Sequence, residues 1–182
     1  MKKIVIIGSN HAGLAAINVI VNSGIEAELV VFDKNSNVYK NFEKEEGVKV
    51  ASTAEELMQN CDYIVMSIKP QFYQVVGDEI KSSIKHNQII ITVAPSYTLA
   101  DMANLLGEDV KVVRTMPNTP AMVFEGMTAV CFGSNNFTEA EKQLVKDLFE
   151  SVGRMVELPE RLMDAAIVAN GSSPAFIYLY AK

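Results

Sequence analysis

Cysteine is scarce in this chain: Cys61 and Cys131 are the only two in 182 residues. They are too few for a disulfide framework and too far apart for a metal site. Both sit in apolar stretches, as buried thiols do, and thiols kept free point to a reducing compartment. Positive charge is also short. Sixteen Lys and Arg against 22 Asp and Glu leave a net charge of −6, so no nucleic-acid partner is expected, because a phosphate backbone calls for a basic footprint. The same shortage does not exclude a dinucleotide, which backbone N–H groups can hold. Long apolar runs are missing too. Lys2 and Lys3 precede Ile4 to Ile7, but the run stops at Gly8, too short for a secretory leader. No segment is long enough to span a bilayer. A cytoplasmic protein with no membrane partner is the expectation. There are no internal repeats and no low-complexity segment.

What is present is a globular composition, 49% hydrophobic and 21% charged, organised as alternating strands and helices. Short continuous apolar runs at Ile4–Ile7, Leu29–Phe32, Val48–Ala51, Tyr63–Met66, Ile89–Val93 and Val110–Val113 read as strands buried on both faces. Helical patterns lie between them: Leu14 to Val21, Tyr39 to Glu46, a segment opened by a capping box (Ser52 with Glu55, or Thr53 with Glu56), Phe72 to Ser83, and Leu99 to Leu106 ended by Gly107. Further on come a strand at Thr128–Phe132, a helix from Thr138 (with Glu141) to Ser151, and a strand at Met155–Leu158. A helix follows from Arg161 to Ala169. Gly171-Ser172-Ser173-Pro174 is expected to break it before a last helix near Ala175. The pattern predicts an α/β fold: a doubly wound, mostly parallel Rossmann sheet at residues 1–158, then the start of a helical domain at residues 159–182. Phe176 to Tyr180 is apolar nearly all round, so the last helix expects neighbours on every side. A second copy of the chain, forming a homodimer, is the expected cover.

Two stretches carry chemistry. Gly8-Ser9-Asn10-His11-Ala12-Gly13 joins the first strand to the first helix, and Asp33 closes the second strand 20 residues after Gly13. That is the placement of a dinucleotide fingerprint: a tight turn at the first Gly, close packing at the last, and a helix N-terminus facing a pyrophosphate. Asn10 stands where the middle Gly is usual. Asp33 favours a ribose 2′-hydroxyl and hence NAD, while Lys34 and Asn35 can meet the 2′-phosphate of NADP. A plain βα turn is the alternative. His11 reads as a loop residue near the phosphates, and His86 as a solvated turn residue. No nucleophile–base pair and no metal site can be picked out, and the nine methionines read as core filler. The second stretch is the run from Arg114 to Met127, in which Pro117 and Pro120 flank Asn118-Thr119 and stiffen a loop that the reading makes neither helix nor central strand. A rigid polar loop at a strand's carboxyl end is where open α/β sheets place ligands.

From about Val48 onward the chain resembles pyrroline-5-carboxylate reductase. The matching pieces are Ile68-Lys69-Pro70-Gln71, Arg114-Thr115-Met116-Pro117-Asn118-Thr119-Pro120-Ala121, Glu125-Gly126-Met127, Leu148 to Gly153, and Gly171 to Phe176. The resemblance implies reduction of a cyclic imine to proline by NADPH or NADH, the last step of proline biosynthesis. It also implies an N-terminal Rossmann domain followed by a helical domain that dimerises and holds substrate. Under it, the Gly8–Gly13 loop and Ser67, Ile68, Lys69 and Pro70 contact the cofactor, and Asn118 and Thr119 lie near its nicotinamide end. Three departures stand out: Asn10 and Ser173 replace glycines of the family pattern, and Ala54 replaces a frequent Asn. A fourth is that the later Pro-Gly-Gly-Thr-like segment lining the substrate pocket has no counterpart, which suggests a truncated reductase.

Residues 3–37 are similar instead to the FAD-binding start of flavin-dependent NADH oxidases and peroxidases. The similarity is carried by Gly8 to Gly13, Ala15 to Asn18, and Val31-Phe32-Asp33-Lys34-Asn35-Ser36-Asn37. In that family a redox cysteine follows soon after; here none comes before Cys61, so NADP or NAD is preferred to FAD. A recombined chain and a divergent reductase both remain open. So do two rivals to the reductase reading: a dinucleotide-binding domain without turnover, and a structural or designed domain in which Asn10 obstructs the pyrophosphate.

Overall fold

The computed structural model describes residues 2–8, 27–33, 48–51, 53, 57–58, 61–133 and 137–181. The helices expected at 14–21 and 39–46, and the capping box at 52–56 apart from Thr53, lie outside the described residues. So do Ser9 to Gly13, Lys34 and Asn35.

Eight strands form one sheet: β1 (Lys2–Ile7), β2 (Ala27–Phe32), β3 (Val48–Val50), β4 (Tyr63–Met66), β5 (Ile89–Thr92), β6 (Lys111–Met116), β7 (Gly126–Phe132) and β8 (Gly153–Glu157). Their order across the sheet is β3-β2-β1-β4-β5-β6-β7-β8. Every neighbouring pair is parallel except β6 with β7. The fold is therefore an α/β Rossmann-type sheet with one reversed junction.

The apolar runs are continuous because both faces are covered. Ile4 and Ile6 of β1 lie on one face with Val145, Leu148 and Phe149 of α3 (Glu139–Glu150). Val5 and Ile7 lie on the other, in a cluster with Val76 and Ile80 of α1 (Tyr73–Ile80) and Met102 and Leu105 of α2 (Leu99–Leu106). Each fully buried Val or Ile contributes about 1.5–3 kcal/mol. The helix starts are chemically marked. Thr98 with Asp101 and Thr138 with Glu141 each form a reciprocal capping box, satisfying N–H groups that the first turn leaves without partners.

Most sequence-predicted elements appear within two residues of their expected ends. Three differ for a physical reason. Strand β6 runs on to Met116, so Arg114 to Met116 belong to it rather than to the proline loop. Its antiparallel ladder with β7 extends as far as Met116↔Ala129 and gives way at Pro117, which has no N–H to donate. Next, Thr119–Val123 forms a 3₁₀ turn with Pro120 in its first positions, where the missing N–H costs nothing. Finally, Gly171 to Pro174 does not break the terminal helix. A 3₁₀ turn (Glu160–Leu162) leads into α4 (Met163–Ala166), a π-helical turn (Ile167–Ser172) and α5 (Ser173–Tyr180) without interruption. The N–H of Ser173 reaches back five residues to the Val168 carbonyl. The widened turn lets the chain pass Pro174, which a regular helix interior would not admit.

Candidate functional site

The chain leaves β1 for β2 and β3 on one side, then crosses to β4, β5 and β6 on the other. The connection therefore reverses direction beside β1. A crevice opens at the strands' carboxyl ends at such a switch point.

Gly8 sits in that crevice. Its φ is +94°, a conformation that strains any residue with a Cβ. Its N–H donates to the Phe32 carbonyl at 2.7 Å, and the Ser67 N–H donates to the Ile7 carbonyl at 2.8 Å. A Cβ added at Gly8 would collide with the Ser67 carbonyl oxygen and with Ile68 Cγ2. The ends of β1, β2 and β4 are thus drawn together to backbone contact. Asp33 follows β2 directly and is half-buried; Ser67 is fully buried, Ile68 packs on the core, and Lys69 and Pro70 are exposed.

The floor behind this crevice is pinned by hydroxyls. Tyr73 Oη donates to the Met66 carbonyl at 2.7 Å and meets Thr92 Oγ1 at 2.9 Å. Thr92 Oγ1 accepts the Ala94 N–H at 3.2 Å, and Thr115 Oγ1 donates to the Thr92 carbonyl at 2.9 Å. The carboxyl ends of β4, β5 and β6 are thereby fixed to one another. Burial pushes the Tyr73 phenol up to about 12, so it is a neutral strut rather than a base. Its ring stacks on Tyr97 at 4.5 Å.

The proline loop is locked at its root. Asn118 Oδ1 accepts the Met127 N–H at 2.9 Å, and Asn118 Nδ2 donates to Asn170 Oδ1 at 2.9 Å. The buried Arg114 guanidinium donates to the Pro95 carbonyl at 2.9 Å and to Asp164 at 3.0 Å, with Glu160 at 3.5 Å. Glu160 in turn accepts the Leu99 N–H at 2.6 Å. Arg114 thus ties β6 to the terminal helical stretch.

Of the sequence-predicted site residues that are described, Gly8, Asp33 and Ser67 to Pro70 gather around the switch point. Asn118 and Thr119 stand at the same sheet edge, three strands from Gly8. With strands spaced about 4.8 Å apart, the edge from Asp33 to Asn118 spans roughly 19 Å. The loop turn at Gly8 and the acidic residue ending β2 fit a dinucleotide; the pyrophosphate cradle itself, Ser9 to Gly13, lies outside the described residues. Sequence reasoning missed Tyr73, Thr92, Thr115 and Asn170. The signal for two of them is a lone threonine at the carboxyl end of each of two successive apolar strands, Ile89-Ile90-Ile91-Thr92 and Val112-Val113-Arg114-Thr115.

Cys61, the cysteine nearest the sequence's flavoprotein-like start, is buried. Its Sγ takes a hydrogen bond from Gln88 Nε2 at 3.2 Å, and burial pushes its thiol up to about 11. No group of metal-ligating side chains occurs among the described residues. No helix among them is long and apolar enough to cross a membrane.

The family described as NADP oxidoreductase, coenzyme F420-dependent, matches residues 3–96. A pyrroline-5-carboxylate reductase of Arabidopsis thaliana is 36% identical over 143 residues, covering 79% of this chain and 50% of that protein. That of Escherichia coli (strain K12) is 30% identical over 181 residues, covering 98% of this chain and 67% of its own length. The solved structure of Plasmodium falciparum pyrroline carboxylate reductase with NADP bound superposes with a TM-score of 0.85 at 28% identity, over 98% of this chain and 66% of that one. The chain spans half to two thirds of the length of these relatives.

Proposed function

The chain belongs to the pyrroline-5-carboxylate reductase family, and from that premise we propose that it binds NADPH or NADH at the carboxyl edge of its sheet. In the reaction we propose, a cyclic imine, 1-pyrroline-5-carboxylate, is reduced to proline in the last step of proline biosynthesis. The observation that carries this reading is the turn at Gly8, wedged without a side chain between the ends of β2 and β4 at the switch point.

When bound, the reduced nicotinamide supplies a hydride for the imine carbon. The chain's own residues orient and shield. Gly8 opens the segment Gly8–Gly13, whose backbone amides would hold the pyrophosphate. Asp33 accepts hydrogen bonds from the adenosine ribose, and Lys34 and Asn35 adjoin it. The backbone of Ser67 to Pro70 lines the crevice toward the nicotinamide, and Thr119 with the Asn118 backbone closes its far end. A pyrroline nitrogen takes a proton readily, so the chemistry demands positioning more than a strong acid. A flavin reading loses its redox partner because Cys61 is buried and its thiol pKa is raised.

We divide the chain at 158/159. Residues 159–182 form the beginning of a helical substrate and dimerisation domain, and a cytoplasmic setting fits the two buried free thiols. On α5, Phe176, Ile177, Tyr178, Leu179 and Tyr180 are each at least 60% exposed, and a second copy is the proposed cover. A second reading is a dinucleotide-binding domain without turnover.

Calorimetric titration with NADPH and NADH, followed by a steady-state assay of pyrroline-dependent NAD(P)H oxidation, tests both. Binding with turnover is the expected result. Binding without turnover leaves the second reading, and no binding of either nucleotide overturns both. A monodisperse monomer in sedimentation at micromolar concentration refutes the dimer.

A further inference from the structure

Resting on the dinucleotide reading above, we propose that Asn170 is a positioning residue. Presented by the π-helical turn of the terminal helix, it holds the proline loop against the cofactor crevice through Asn118.

The geometry is closed. Asn170 Nδ2 donates to two backbone carbonyls, Met116 at 2.9 Å and Met127 at 2.8 Å. Its Oδ1 accepts from Asn118 Nδ2, and Asn118 Oδ1 accepts the Met127 N–H. Reversing either amide would set oxygen against oxygen or nitrogen against N–H, so the orientations fix each other. Met116 is the last residue of β6, and Met127 the second of β7. Between them the ladder has parted to let the loop 117–125 out. Asn170 spans that gap, and no other side chain among the described residues bonds both strand ends there.

The widened turn explains how a helix reaches it. One extra residue between Val168 and Ser173 re-aims the turn, so Asn170 meets the sheet while Val168 stands 64% exposed. Such turns recur at functional sites. In this lock the Asn118 amide gives one N–H and accepts one hydrogen bond at its oxygen, which fixes its orientation and leaves the loop's backbone, Thr119 and one amide N–H to meet a nucleotide. Their position is set from the terminal helix through these hydrogen bonds.

The test measures NADPH affinity of the full chain by calorimetry, with apo melting temperature as a parallel readout. The variants are Asn170→Asp, Asn118→Ala and their combination. Asn170→Asp keeps the shape but turns the double donor into an acceptor facing two carbonyls; Asn118→Ala cuts the same path from the loop side and serves if the first does not fold. Each is expected to weaken NADPH roughly tenfold, the scale of a lost hydrogen-bonded contact. The double variant should be no weaker than the worse single, because both interrupt one path. Multiplicative losses, or lower melting temperatures with unchanged affinity, would mean that Asn170 is structural only and would overturn the proposal. Failure of the unsubstituted chain to bind NADPH would remove the underlying reading, and this inference with it.

Discussion

Replacing Gly8 by Ala probes the junction on which the crevice depends. Two costs add. An alanine held at φ +94° sits in a sparsely populated region, worth about 1–3 kcal/mol. Its Cβ also meets the Ser67 carbonyl and Ile68 Cγ2. The carbonyl is backbone and cannot rotate aside, so β1 and β4 must part, at a cost of about 1–3 kcal/mol typical of overpacking. The sum is roughly 2–6 kcal/mol, a large share of the roughly 5–15 kcal/mol that holds a domain folded. Gly107→Ala is the matched control. Its φ is +112°, yet the nearest atom to a new Cβ is Val110 Cγ2 at 4.0 Å, so only the conformational cost of about 1–3 kcal/mol applies. Urea unfolding at pH 7 should show Gly8→Ala the less stable of the two by about 1–3 kcal/mol, each kcal/mol appearing as roughly 2–4 °C in Tm. The same variant should bind NADPH more weakly. Equal losses at the two glycines, or a Gly8→Ala protein within about 0.5 kcal/mol of the parent, would refute the claim that β1 and β4 meet without room for a methyl group.

Thr128 is fully buried, and its Oγ1 lacks a hydrogen-bond partner among the described residues. Thr128→Val should therefore raise stability by about 1 kcal/mol in urea, and a loss instead would show that the hydroxyl has a partner. At alkaline pH the Cys61 thiol sets a slope. Burial lifts it from 9.0 to about 11, so between those values the unfolded chain has lost a proton that the fold retains. Stability then falls as pH rises through that window, by about 2–3 kcal/mol in full. Chemical unfolding of the parent and of Cys61→Ala between pH 9 and 10 should show a shallower slope in the variant; identical slopes would remove Cys61 as the cause.

The strands were legible because both-face burial writes itself as uninterrupted Val and Ile. The helix starts were legible where the code is local, as in Thr138 with Glu141. Gly8 and Asp33 were legible as positions because a tight turn fixes the one and a strand end the other. What escaped was non-local. Asn170 reads as a polar residue before a breaker, since nothing near it in sequence announces two carbonyls 43 and 54 positions away. Gly171 to Pro174 was misread for the same reason. A proline ends a regular helix, and the wider π register here comes with hydrogen bonds from Asn170 to two strand ends far away in sequence. Tyr73 carries no local sign of its role either, because its hydroxyl joins the ends of two strands, 7 and 19 positions away.

The margins of the sheet have a consequence for how copies of this chain meet. β3 offers only three residues, and its exposed Lys49 is paired with Glu28 at 2.8 Å. At the opposite margin, β8 presents Arg154 and Glu157 to solvent, the latter paired with Lys146 at 3.2 Å. A short rim and a charged rim both resist strand addition. Edge-to-edge growth is thus discouraged at either side, so neither margin offers a backbone template on which another chain could extend the sheet.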